Sequence, residues 1–415
     1  MLVVTSNWGL TDGTLAGGAA HALVRRLQGE VQRAAWRCGM RQDGRYRPIE
    51  SVDLVLAGDT FDWLVSREWT AAVKPWQSGP RAAAARNRVV EAAARRGCRF
   101  RAVLAGWARR GIAVPAADRR GRPVPGAEIR VPVRVTALRG DRDRWLDRLP
   151  AASTSLLPGA AVGISWAAGG VTVLHGESLD PLHENGADGP TIGESLVVDL
   201  IAAFGVALAG LPEVRPQAAA IVHKLVTGPV LDAPARLLGW LEADERGGRL
   251  PVASRGRLVG RWNEAVAQWH KQARRLVPRG LDCVDVIGQI AAGLEIDPAT
   301  GPLAAVRHRQ GAVAPGAGTR PAEVVMLGHA FDRRGGSWPQ GVACLAAGPE
   351  DHWPPLAVVA SDHGGQLGSR LEWLGRSVPV GDCAGCHEEG PGGRSVRGVW
   401  LSDCPESARV FVDAA

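Results

Sequence analysis

Short apolar runs alternate with longer amphipathic stretches along this chain. Residues 2–5, 52–57, 131–138, 171–174 and 324–327 are mostly apolar, rich in valine and leucine, and read as buried strands. Residues 15–38 read as an amphipathic helix: Leu23, Leu27, Val31 and Ala35 recur every four positions, with Arg25, Arg26, Glu30 and Arg33 turned away. The alanine- and arginine-rich stretch 81–111 reads as helical. Residues 190–310 read as mainly helical, with Trp262, Val266 and Trp269 on one face and Leu237, Leu238 and Leu241 on another. These tryptophans are read as core. A glycine- and proline-rich stretch at 310–321 leads back to strand-like segments at 341–345, 356–360, 397–401 and 408–412. Short strands separated by helices predict an α/β fold with buried sheets. Residues 1–180 form the first part of the core, 181–320 a helical cap insertion, and 321–415 the completion of the core with a β-rich C-terminal extension.

Composition narrows this only a little. The 415 residues are 46% hydrophobic and 22% charged, which are globular values, and a core of this size needs no disulfides. The net charge of +7 is spread along the chain. It leaves nucleic acid open as a partner without making it the default, since no basic tail concentrates the charge. Residues 1–5 lack the basic leader of a signal peptide. The longest apolar helix candidate, 196–209, is interrupted by Asp199 and is too short to span a bilayer, so no membrane association is expected. The seven cysteines (Cys38, Cys98, Cys283, Cys344, Cys383, Cys386 and Cys404) are odd in number and mostly far apart, which predicts reduced thiols and a cytoplasmic protein.

The chemistry is concentrated in four turns, each directly behind an apolar strand: Ala57-Gly58-Asp59-Thr60-Phe61-Asp62, Arg139-Gly140-Asp141-Arg142-Asp143, His175-Gly176-Glu177-Ser178-Leu179-Asp180 and Gly328-His329-Ala330-Phe331. Ligand sites in α/β sheets lie at the carboxyl ends of strands, so these side chains are expected to converge on one crevice. Asp59, Asp141, His175 and His329 make a nitrogen/oxygen donor set suited to a divalent metal.

In order and spacing, these turns resemble the motifs of the calcineurin-like metallophosphoesterases. Residues 57–62 match GDxxD, Gly140 to Asp143 stands where that family has GNHD, His175-Gly176 matches the next motif, and Gly328 to Phe331 stands where it has GHxH. Residues 6–14 resemble the SDLHLTDGT opening of one bacterial branch, and residues 65–69 and 74–76 also resemble that branch. The likeness covers residues 1 to about 331. It implies a four-layer α/β-β/α sandwich and a two-metal centre, half of which is missing here. The positions for the first metal are Asn7, Gly9, Asp59 and Phe331, of which only Asp59 remains a strong ligand. The positions for the second are Asp59, Asp141, His175 and His329, all able to coordinate. Arg142 stands where the family has a phosphate-contacting histidine, and Asp143 keeps its orienting role. The resemblance therefore implies at most one divalent ion (manganese, zinc or iron). It also implies a binding, regulatory or scaffolding role beside other protein subunits, with a phosphate-containing ligand and little hydrolysis. The competing expectation is an active mononuclear phosphoesterase acting on a phosphodiester or nucleotide.

Three other motifs are weaker. Cys383-Ala384-Gly385-Cys386-His387 has the CxxCH pattern of haem attachment, but that chemistry needs export, so haem is not expected. Cys383 and Cys386 with His387 or Cys404 could hold zinc, although a loop with free thiols is the favoured reading. Ser361-Asp362-His363 is too local for a triad, and Gly193-Glu194-Ser195 lacks the second glycine of a nucleophile elbow.

Overall fold

The computed structural model describes residues 1–17, 20–41, 43–70, 72–146, 156–168, 171–177, 180–183, 189–228, 230–247, 250–275, 283–297, 301–302, 324–327, 342–344, 356–362 and 366–373. The larger sheet has six strands. β1 (Leu2–Thr5), β2 (Val52–Ala57), β5 (Val133–Leu138) and β6 (Ala160–Gly163) run parallel, and β13 (Leu356–Asp362) and β14 (Gln366–Trp373) extend the β1 edge antiparallel, giving the order β14-β13-β1-β2-β5-β6. A second sheet has the order β12-β11-β8-β7, from β7 (Ser165–Ala168), β8 (Val171–Leu174), β11 (Val324–Leu327) and β12 (Val342–Cys344). β8, β11 and β12 are mutually parallel and β7 is antiparallel to β8. The two sheets approach each other through β2 and β8 and through β5 and β7. The protein is thus α/β with a parallel sheet at its centre. Strands β1 and β2 are buried on both faces almost throughout, which is why they read as unbroken apolar runs.

Helix α1 (Ala20–Gly39) crosses between β1 and β2 and buries Val24, Leu27, Val31, Ala34 and Ala35. It starts five residues later than its pattern suggests. Residues 12–14 are instead folded into a tight turn in which Asp12 accepts hydrogen bonds from the Thr14 amide and hydroxyl at 2.9 and 2.8 Å. The expected helix over 81–111 is two helices, α2 (Pro80–Arg96) and α3 (Cys98–Arg110), broken at Gly97. There the backbone passes so close to Leu10 that an added Cβ would lie 3.1 Å from its Cδ1.

The expected strand over 131–138 is also two elements. Val131 ends β4 (Pro123–Val131), which forms an antiparallel hairpin with β3 (Ile112–Ala117), and β5 starts at Val133. Pro132 between them has no N–H to give a ladder, but its carbonyl accepts from the Val52 amide at 2.9 Å. A two-stranded pair of β9 (Ile296–Asp297) and β10 (Gly301–Pro302) completes the described strands.

The helical stretch comprises α4 (Ile192–Ser195), a π-helical turn (Leu196–Ala202), α5 (Ala203–Ala209), α6 (Arg215–Val226), α7 (Ala233–Gly247), α8 (Val252–Ala273) and α9 (Cys283–Leu294). The run Ile192–Ala209 is continuous. It is longer than the apolar stretch marked in the sequence and is long and apolar enough by length and composition to cross a membrane, but 72% of it is buried inside the protein. It is the core of the helical layer. Trp262 meets Phe204 edge-on at 5.2 Å and donates its indole N–H to the Leu294 carbonyl at 2.7 Å. Trp269 donates to Ser195 Oγ at 3.0 Å, Ser195 donates to Asp199, and Lys74 pairs with Asp199 at 2.7 Å. One continuous buried cluster runs from Val3 through the helices to Ile296, so helices and sheets share a core. The strand-like segments 397–401 and 408–412 lie outside the described residues.

Two predictions follow from this packing. Trp262→Ala removes a fully buried indole and its hydrogen bond and is expected to cost about 3–5 kcal/mol in urea unfolding. Because the core is apolar and continuous, a chelator is expected to lower Tm by only a few degrees. Complete unfolding in chelator would show that the fold depends on bound metal.

Candidate metal centre

Asp59, Asp141 and His175 meet where the ends of β2, β5 and β8 come together. β2 and β5 are neighbours in register, Ala57 opposite Leu138, so the turns behind them lie side by side. His175 reaches them from the second sheet. Its ring is seated directly on two glycines: a Cβ on Gly58 would lie 2.1 Å from Nδ1, and one on Gly140 would lie 2.9 Å from Nε2 and 2.2 Å from Asp59 Oδ1. Those two residues are glycine because imidazole and carboxylate fill the space a side chain would take. Asp59 itself has φ 51°, a left-handed conformation unusual for a side-chain residue, and this turns its carboxylate into the crevice.

The donor atoms of Asp59, Asp141 and His175 all lie within 4.8 Å of one another and all three residues are buried, so the group could hold a metal ion. His175 Nε2 stands 2.9 Å from Asp141 Oδ1 and 3.5 Å from Asp59 Oδ1, and its Nδ1 is 2.8 Å from the Ala57 carbonyl. A carbonyl can only accept, so Nδ1 carries a proton, and Nε2 faces two carboxylates. That arrangement calls for a positive charge between them, as a second proton on the ring or as a metal ion. A ring N–H held by a backbone carbonyl is also the usual way a ligating histidine is oriented. Burial, then the neighbouring Asp141, pushes the Asp59 carboxyl up to about 8, which expresses the same shortage of positive charge.

Among the described residues, the cation packed into this cluster is Arg142. Burial works against its charge, yet Asp62, Asp59 and Asp141 hold the guanidinium protonated more firmly than usual. It donates to Asp62 Oδ2 at 2.7 Å, its Nε is 3.7 Å from Asp59 Oδ2, and its backbone N–H donates to Asp59 Oδ1 at 3.0 Å. The residue expected to contact phosphate is therefore engaged as a counter-ion to two aspartates. Asp143 accepts from the Gly140 amide at 2.7 Å and the Phe61 amide at 3.1 Å, clipping the β2 and β5 turns together. Burial raises its carboxyl to about 6 against the pull of those two amides. Both of these bonds are made with the backbone of the two turns.

Asn7 and Gly9 run alongside the same turn. Their amides donate to the Gly58 and Asp59 carbonyls at 3.2 and 3.0 Å, so the opening segment is held against the Asp59 turn. Nothing lies within 4 Å of a Cβ built on Gly9, and its φ is +55°. His329 and Phe331 lie outside the described residues, as do Cys383, Cys386, His387, Cys404 and His363. Gly193, Glu194 and Ser195 form the first turn of α4. Thr191 and Glu194 make a reciprocal capping box there, and Ser195 is buried in the tryptophan network.

Two neighbours of the site were not assigned to it from the sequence. His183, in the 3-10 turn Pro181–His183, places Nδ1 3.7 Å from Asp141 Oδ2. Glu194 pairs with Arg144 at 2.9 Å and is pushed up to about 7, chiefly by burial. Both lie in or beside an irregular loop, where no periodicity marks them. No protein-family model, curated protein or solved structure matches this chain.

The centre as described predicts at most one strongly bound divalent transition-metal ion per chain, measured by elemental analysis after dialysis. His175→Ala is expected to lower affinity by more than the roughly 10–100-fold that loss of an outer partner costs, while Asn7→Ala leaves it unchanged.

Proposed function

We propose that this chain is a degenerate calcineurin-like metallophosphoesterase. In this reading it has that family's four-layer α/β-β/α sandwich, residues 181–320 are a helical cap, and residues 321–415 complete the core. It binds one divalent ion, manganese, zinc or iron, through Asp59, Asp141, His175 and His329. It acts in the cytoplasm as a binding, regulatory or scaffolding subunit for other proteins, with a phosphate-containing ligand at the ion and little hydrolysis of its own.

The observation that carries this reading is the way the two oxygens of Asp59 are used. Oδ1 faces His175, while Oδ2 faces the guanidinium of Arg142, which is itself tied to Asp62. One side of the carboxylate is available to an ion and the other is already neutralised by a fixed cation. An ion at the first side would supply positive charge for an anionic ligand and acidify a bound water. Arg142 supplies charge but cannot donate and recover a proton during turnover, because a guanidinium does not deprotonate in proteins. Loss of a single electrostatic stabiliser costs ~10²–10³ in rate, and here several are absent together. Tight binding of a ground-state anion gives no acceleration by itself.

Purified protein supplied with manganese or zinc is expected to show negligible turnover of a generic aryl phosphodiester or phosphomonoester, while inorganic phosphate binds in a metal-dependent way. Robust metal-dependent hydrolysis that Asp59→Ala abolishes would replace this reading with an active mononuclear phosphoesterase. Joint replacement Asn7→Asp, Gly9→His, Arg142→His and Phe331→His is expected to restore measurable activity. Gly9→His carries a strain of roughly 1–2 kcal/mol from the left-handed backbone at that position.

A further inference from the structure

We propose that the C-terminal end of α1 and the tip of the β3–β4 hairpin form a surface that binds single-stranded DNA, with arginines on the phosphates and Trp36 against a base. This inference is independent of the metal centre.

The fold gathers charge that the sequence keeps in two places. Arg37, Arg41, Arg45 and Arg47 lie at or just behind the end of α1, and Arg119, Arg120 and Arg122 lie far along the chain in the turn between β3 and β4. The Tyr46 amide donates to the Gly121 carbonyl at 2.6 Å and the Arg47 amide to the Gly39 carbonyl at 2.7 Å, so helix end, following turn and hairpin tip are tied into one unit. Tyr46 is buried within it, its ring so close to Gly39 that a Cβ there would lie 2.4 Å from Cε2. Seven arginines meet two aspartates in residues 37–47 and 118–122, a net charge of +5 in a chain whose total is +7. Both carboxylates are turned back on their own loops. Asp118 Oδ1 accepts from the Arg120 and Arg122 amides, each at 2.8 Å, and Asp43 Oδ1 accepts from the Arg45 amide at 2.9 Å. Asp43 Oδ2 is 3.9 Å from Arg45 Nε, but both side chains are mostly exposed, and such a pairing neutralises little in water.

Beside this charge stand Trp36 and Met40, one turn apart on α1 and 46% and 40% exposed. An exposed indole among guanidinium groups is the make-up of a single-strand site. The ring gives an unpaired base a face to stack on, and arginines hold phosphates through paired, charge-assisted hydrogen bonds. A duplex keeps its base faces covered and cannot use the indole in this way. An anionic membrane fits less well, because the tip Asp118-Arg119-Arg120-Gly121-Arg122 has no apolar side chain to insert. With its carboxylates engaged locally, the surface offers mainly donors. The proton of a ribose hydroxyl gains no partner there, so RNA has no advantage over DNA.

The test is fluorescence anisotropy of a labelled oligodeoxythymidine of about 20 nucleotides, titrated with the full chain at several salt concentrations. Wild type is expected to bind with an affinity that falls steeply as salt rises. Trp36→Ala is expected to weaken binding of the single strand about 10-fold, with the salt dependence and the binding of a duplex unchanged, while Trp36→Phe keeps most of the affinity. Joint replacement Arg119→Gln, Arg120→Gln and Arg122→Gln is expected to weaken binding and to lower the slope of log affinity against log salt by about 2, at roughly 0.7 for each phosphate contact on a single strand. The substituted side chains are exposed, and unchanged melting temperatures check that the variants are folded. Should Trp36→Ala not fold, Trp36→Leu, apolar but without a ring, carries the same comparison. No binding by wild type at about 50 mM salt overturns the proposal, as does equal affinity in wild type and all variants. A loss in the arginine variant with none in Trp36→Ala overturns the single-strand assignment and leaves a surface for any polyanion. RNA of matched sequence bound about 10-fold more tightly overturns the choice of DNA. Vesicles of phosphatidylcholine and phosphatidylserine bound in preference to the oligonucleotide overturn it in favour of a membrane.

Discussion

The centre of this protein is organised by a shortage of positive charge. Asp59, Asp62, Asp141 and Asp143 are all buried within a few turns of one another, and His175, with its Nδ1–H given to the Ala57 carbonyl, turns Nε2 toward two of them. Unpaired carboxylates cannot stay ionised in such a place without partners. Each one finds a different solution. Asp143 is satisfied by two backbone amides, Asp62 by Arg142, and Asp59 is shared between Arg142 and the crevice. Asp141 lies between imidazoles.

The surrounding structure is shaped to keep these groups together. The parallel register of β2 and β5 sets the two acidic turns side by side, and the close approach of β8 to β2 brings His175 across from the other sheet. Glycines at 58, 140 and 193 allow rings and carboxylates to lie directly on the backbone. The helical layer reaches the same region through the capping box at Thr191 and Glu194. It is anchored to the first part of the chain by the pair of Lys74 with Asp199. Most of the buried apolar surface lies in one continuous cluster, and Phe61 belongs both to it and to the clip made by Asp143.

Much of this could be read from the residues. The strands at 2–5 and 52–57 were legible because burial on both faces leaves almost only apolar residues to see, and those at 171–174 and 324–327 because they are short, mostly apolar runs. The convergence of Asp59, Asp141 and His175 followed from turns placed behind those strands. The β3–β4 hairpin was not legible, because β4 is mostly exposed and gives no apolar run, and the short run of β3 is interrupted by Pro115. The breaks at Gly97 and Pro132 were obscured by helix and strand propensity on either side. His183 left no trace because its position is set by a 3-10 turn and by the first turn of α4, and neither leaves a repeat in the chain. The engagement of Arg142 with Asp62 was hidden for a similar reason: eighty residues separate the partners.

Arg142 is covalently part of the chain, and a metal ion is not. With an ion bound as proposed, the charge balance of the centre would have one half whose effective concentration never changes and another that follows the supply of free ion. Dilution, chelators and competing proteins would act only on the second half. A protein built this way keeps part of its neutralisation in every condition, and its occupied and empty states would differ by one exchangeable divalent ion.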